Sequence, residues 1–142
     1  MGQGRLSRRS RRIVDAFDSD VLIYAAQGDA RGDEVARLLG LADSTVTGIG
    51  SVLLVSELFG SPAGRTDGVE KATLVSILAR MDLKNVDYET ADLAGAMRAK
   101  YRLRAADAIQ LDTAELWGAD RFHTNNRKDF GQPIDEIEIV FR

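Results

Sequence analysis

Ile13-Val14-Asp15-Ala16-Phe17-Asp18-Ser19-Asp20-Val21-Leu22-Ile23-Tyr24 is the stretch on which the reading of the fold turns. Its first five residues form a short, mostly apolar run that stops at two acids, the pattern of a buried strand carrying carboxylates to its end. Outward from it, short apolar runs alternate with segments of helical periodicity, which predicts an α/β domain with a five-stranded, mainly parallel sheet flanked by helices. Strands are expected at Ile13 to Phe17, Thr45 to Ile49, Leu83 to Tyr88, Arg121 to Thr124 and Ile137 to Phe141, the last alternating like an edge. Helices are expected over Asp33 to Leu41, Val52 to Phe59 with Ser51 as N-cap, Asp67 to Met81, from a Thr90 cap to Tyr101, and over Ala105 to Trp117.

Composition narrows the chemistry. The chain has 142 residues, 44% hydrophobic, and two prolines, which suits one domain with its own core. No apolar run reaches the ~20 residues of a membrane span and no secretory pattern opens the sequence, so a cytoplasmic location is expected. With no cysteine, disulfides and thiolate chemistry are excluded. The single histidine, His123, excludes a two-histidine acid-base nuclease within one chain and is expected to be packing. Any hydrolysis must come from carboxylates and metal.

The formal net charge is −3, although five arginines stand among the first twelve residues, so the remainder is distinctly acidic. Residues 1–12 read as a disordered basic tail, a solvated extension rather than an RNA-binding arm, and 13–142 as the folded domain. An acidic body grips nucleic acid poorly through bulk charge but accommodates acidic sites neutralised by metal.

In open α/β sheets the ligand site lies beyond the carboxyl ends of the strands. Asp18 and Asp20 follow the first strand there. Glu57 follows the second and is the only charged residue between Ser44 and Gly64, so its carboxylate requires a cation or a hydrogen-bonding partner. Asp107 opens the apolar helix, and Asn125, Asn126 and Asp129 follow the fourth strand. Each acid has a plain structural alternative: a turn for Asp18 or Asp20, a helix dipole for Asp107, a pair with Arg65 for Glu57. Gathered at one edge they repel by about 4 kcal/mol per pair at ~4 Å under an effective dielectric near 20, which Mg²⁺ or Mn²⁺ relieves. Asp112 stands ~7.5 Å up the helix and ~140° round from Asp107, so both cannot address one metal; an outer-shell or buried-pair role is expected. The turn of Gly48, Gly50 and Ser51 lacks the lysine of a phosphate loop and is set aside.

Phe17-Asp18-Ser19-Asp20-Val21-Leu22-Ile23-Tyr24, Ser56-Glu57-Leu58, Ala105-Ala106-Asp107-Ala108-Ile109 and Thr124-Asn125-Asn126-Arg127-Lys128-Asp129-Phe130 resemble, in order and approximate spacing, the four motifs of the PIN-domain family, in its VapC toxin branch. That resemblance implies Mg²⁺ or Mn²⁺ ligation by Asp18, Glu57 and Asp107, with Asn126 and Asp129 at a second position. It implies cleavage of RNA by metal-activated water, a homodimer, and a separately encoded antitoxin. The sequence departs from the pattern at Asp15, a rival first acid, and at Asn126, where many members carry Asp. Two readings compete: a haloacid-dehalogenase-type phosphatase using Asp18, which leaves Glu57 without a role, and a PIN-like binding module that has lost its metal.

Overall fold

The computed structural model describes residues 12–40, 48–60 and 68–142; the basic tail up to Arg11, Arg65 and Thr45 lie outside the described residues. Five parallel strands, β1 (Asp15–Phe17), β2 (Gly48–Ser51), β3 (Met81–Lys84), β4 (Arg121–Thr124) and β5 (Glu138–Phe141), stand in the order β3-β2-β1-β4-β5. Both outer pairs and the central pairs are parallel, with Phe17 opposite His123 and Ala16 opposite Ile49. The expected sheet is present. Its third strand starts at Met81, two residues before the expected Leu83, and ends four before Tyr88, because Asp87 rather than Thr90 caps the next helix: its Oδ1 accepts both the amide and the hydroxyl of Thr90.

Seven α-helices are described: α1 (Ser19–Gln27), α2 (Asp33–Gly40), α3 (Leu53–Gly60), α4 (Gly68–Leu78), α5 (Tyr88–Tyr101), α6 (Ala105–Leu116) and α7 (Arg127–Phe130). The sequence reading has no counterpart to α1, whose run Val21 to Ala26 is apolar without the 3.6-residue period that signals a surface helix. A 3-10 turn, Ala30–Gly32, follows it, and only glycine fits at position 32, since a Cβ there would stand 2.2 Å from the Ala25 backbone nitrogen. Ser51 closes β2 and its hydroxyl accepts the Leu53 amide, the capping role expected of it.

Strand alternation divides the core. Ala16 and Phe122 face a cluster with Met97, Leu103, Leu111 and Phe130, under α5 and α6. Phe17 faces the other, with Val21, Leu22, Val35, Leu54, Leu58 and Leu74. Both sheet faces are therefore covered, as a parallel sheet requires. No described helix is long and apolar enough to cross a membrane.

Candidate active site

The carboxyl ends of β1 and β4 set the first acid. Chain direction carries Phe17 into Asp18, whose amide donates to the His123 carbonyl at 2.8 Å, so Asp18 leaves the sheet at a fixed point. It is the N-cap of α1: Oδ1 accepts the Ser19 amide at 2.9 Å, while Oδ2 accepts the Thr124 hydroxyl at 2.8 Å. Thr124 is itself held, accepting the Asn126 amide at 3.0 Å. Asp20 lies one step into α1, with Oδ2 accepting the Asn125 amide at 3.0 Å and Oδ1 the Val21 amide at 2.6 Å.

Glu57, on α3, is half-buried and accepts the Gln110 side-chain amide at 2.7 Å. Gln110 stands three residues along α6 from Asp107 and hence on the same side of that helix, which ties Glu57 to the Asp107 face. Asp107 is buried, with Oδ2 3.3 Å from Arg104 Nε. Asp129 folds back to this group: Arg104 Nη2 stands 3.5 Å from its Oδ2. Asn126 N-caps α7. Its Oδ1 accepts the Asp129 amide at 3.2 Å and its Nδ2 donates to Asp129 Oδ2 at 2.9 Å, so the Asn126 side chain positions Asp129.

The electrostatics tie these acids into one group. Burial, with the charges of Asp20 and Asp107, pushes Asp18 up to about 7 against the bonds from Thr124 and Ser19. Burial likewise raises Asp20, against the Asn125 and Val21 amides, and Glu57, against Gln110, with Asp107 and Asp20 adding to the rise at Glu57. Asp107 is raised by burial and by Asp129, against Arg104. Asp129 takes the opposite direction, lowered by its Asn126 bond and then by Asp107 and Arg104. Four of the five carboxyls thus favour the protonated form, and the exposed Arg104 is the cation in contact with both Asp107 and Asp129.

Hard oxygen donors that resist ionisation together suit a hard divalent cation, so the donor set fits Mg²⁺ or Mn²⁺ in chemistry. Among the described residues no group of three or more acid or histidine side chains stands at coordinating spacing. Thr124, Gln110 and Arg104 hold the three principal acids, Asp18, Glu57 and Asp107, each through one carboxylate oxygen.

Asp15, the rival first acid, stands apart from these carboxyls. It precedes Asp18 by three strand residues, which puts it ~10 Å down the strand and on the opposite face of the sheet. There it pairs with Arg121, at 2.7 and 3.0 Å, and with His123 Nε2 at 2.8 Å. Burial alone would raise its carboxyl, but those two partners outweigh it and hold Asp15 below the usual range. His123 accepts Arg142 Nε on Nδ1 and stacks on Phe17 with centroids 5.0 Å apart, the packing role expected of it. Asp112 is 2% exposed, and its Oδ2 has no hydrogen-bond partner among the described residues. Sequence reading missed Arg104, Gln110 and Thr124 as site residues. The last two had signals: helix spacing from Asp107 for Gln110, and the strand-end position for Thr124.

A PIN domain family model matches residues 16–132. No curated protein sequence matches the chain. Among solved structures it is similar to VapBC2 from Rickettsia felis bound to a promoter DNA fragment, with a TM-score of 0.66 at 15% identity over 92% of this chain and 99% of that one. It is similar also to a toxin-antitoxin complex from Klebsiella pneumoniae, with a TM-score of 0.63 at 24% identity over 88% and 99%. A third likeness, to DNA-bound VapBC from Salmonella typhimurium, has a TM-score of 0.65 at 17% identity over 92% and 98%. At those identities the likenesses speak to the fold alone, whereas the family model spans most of the chain and includes every acid of the cluster: the chain belongs to the PIN domain family.

Proposed function

We propose that this chain is a Mg²⁺- or Mn²⁺-dependent endoribonuclease of the VapC type, inhibited by a separately encoded antitoxin. PIN domains are generally nucleases that use divalent metals. The observation that carries the reading is the joint upward shift of Asp18, Asp20, Glu57 and Asp107 at one sheet edge. Glu57 belongs to that group, and the phosphatase reading leaves it without a task.

Asp18, Glu57 and Asp107 would hold the cation, and Asp129, carried by Asn126, a second position. A bound cation supplies an activated water and offsets negative charge on the phosphate. The chain's own groups do the rest. Thr124 fixes the rotamer of Asp18 and Gln110 that of Glu57. Arg104 has a side chain 76% exposed, and its guanidinium is placed to meet a phosphate beside Asp107. Lys128 adds positive charge near Asp129. In an otherwise acidic body these two cations give the RNA backbone a local grip. One of the similar structures is a toxin-antitoxin complex and the other two are VapBC assemblies bound to DNA, which supports a protein partner here. Exposed Val52, Val55 and Val75 offer apolar surface for that partner or for the homodimer.

Incubating the purified chain with labelled RNA and Mn²⁺ tests the proposal. Cleavage is expected, lost in chelator and reduced about 100-fold or more by Glu57→Gln. Cleavage that survives both treatments would overturn it, and hydrolysis of an aryl phosphate dependent on Asp18 alone would favour the phosphatase.

A further inference from the structure

A second acidic site lies away from the nuclease cluster. A cleft of about 270 Å³ opens along α5 and α6, lined by Leu93, Met97, Lys100, Asp112, Glu115 and Leu116, with Glu136 at its margin. That volume is just under the ~300 Å³ at which pockets for drug-sized ligands begin, so the occupant is short.

Its polar groups are unequally satisfied. Glu136 accepts the Tyr101 hydroxyl and Lys100 Nζ, the latter at 3.0 Å. Lys100 is engaged there and over the Tyr101 ring, 5.0 Å from its centroid. Asp112 is 2% exposed, and its Oδ2 is buried with no hydrogen-bond partner among the described residues. A carboxylate so placed is costly unless a cation or donor reaches it. Burial, then the charges of Glu115 and Glu89, raises its carboxyl to about 6, the direction expected where no cation is present to oppose them. Among the described residues Lys100 is the one cation lining the cleft, against Asp112, Glu115 and Glu136, so this lining has a negative excess. The remaining walls, Leu93, Met97 and Leu116, are apolar. A negative end beside an apolar wall matches a charged nitrogen on a hydrocarbon stem, and a compact ammonium suits a short cleft.

We propose that the cleft between α5 and α6 binds an aliphatic ammonium group, with Asp112 and Glu115 receiving the charge and Leu93, Met97 and Leu116 the methylene stem. The source is a free diamine or a lysine side chain of a partner protein, which present the same chemistry.

Amide chemical-shift titrations of the full chain with 1,4-diaminobutane and with Nα-acetyl-lysine amide test this. At least one probe should perturb amides of α5 and α6 around residues 93–97 and 112–116. Asp112→Asn should weaken that binding about tenfold or more, as loss of a charge-assisted bond does, and Glu115→Gln a few-fold. Glu57→Gln, in the other cluster, should leave it unchanged. Tighter binding of the diamine identifies a free amine and tighter binding of the lysine derivative a partner's side chain; either supports the site. If Asp112→Asn does not fold, the shift map and Glu115→Gln decide. Perturbations confined to Asp18, Glu57 and Asp107, an unchanged affinity in both variants, or no binding of either probe would overturn the proposal.

Discussion

Asp18 shows how much a single carboxylate strains this protein. Its rise from 3.8 to about 7 corresponds to ~4 kcal/mol disfavouring the ionised form, more than the ~1–3 kcal/mol that one hydrogen bond from Thr124 returns. Thr124→Val should therefore move the Asp18 midpoint above 7 in metal-free protein, read from the carboxyl carbon shift against pH; a lower midpoint would show that the threonine does not bond the ionised form. Asp112 gives the second test. With its carboxyl raised to about 6, ionisation at pH 7 weakens the fold, so Asp112→Asn should gain about 1–3 kcal/mol in urea denaturation, and a loss would contradict its unpartnered state. The choice between Asp15 and Asp18 was open in the sequence, yet strand parity separates them: an odd offset sends them to opposite faces. Arg104 was not legible, because an arginine before a helix carries no sign of the acids that folding brings to it.

Elements were legible where periodicity or capping chemistry marks them. The apolar helix α6 and strand β4 fall within one residue of expectation, since both have clear apolar runs and flanking polar residues. Helix α1 was not legible, because its acids drew the reading as site residues although Asp18 also caps the helix; one side chain serves both ends. Two substitutions test the element scale. Arg102 ends α5 in the left-handed region at φ 56°, where a side chain is strained, so Arg102→Gly should stabilise by about 1 kcal/mol and raise Tm by about 3 °C. An unchanged or lower Tm would show that its side chain contributes more than the strain costs. Asn126→Ala removes the α7 cap and the bond that sets Asp129; a loss of about 1 kcal/mol in stability is expected together with weaker Mg²⁺ dependence of cleavage at high concentration. Loss of stability alone would confine Asn126 to capping.

At the scale of the molecule, the sequence carried the sheet and its parallel class and marked acids at its carboxyl edge, with spacing signals for Gln110 and Thr124, while the pairing of Arg104 with Asp107 and Asp129 depends on contacts between α6 and α7 that no local pattern encodes. The buried acids titrate against the fold. Asp18 in the cluster and Asp112 outside it have folded midpoints near 7 and 6 against an ordinary 3.8, so the native state binds more protons across that window and metal-free stability falls as pH rises through it. Asp15, lowered, acts oppositely only as pH falls below its ordinary value. Thermal unfolding in chelator should therefore show Tm rising from pH 7 to pH 5, and a falling Tm would contradict the raised midpoints that burial and neighbouring carboxylates produce. A cation that binds the ionised acids should reverse that slope. The direct measurement is calorimetric titration of Mn²⁺ into the intact chain and into its Asp18→Asn variant at pH 7.5. The account predicts saturable binding by the first and its loss in a variant that remains folded; equal binding by both would show that Asp18 is not part of the metal site.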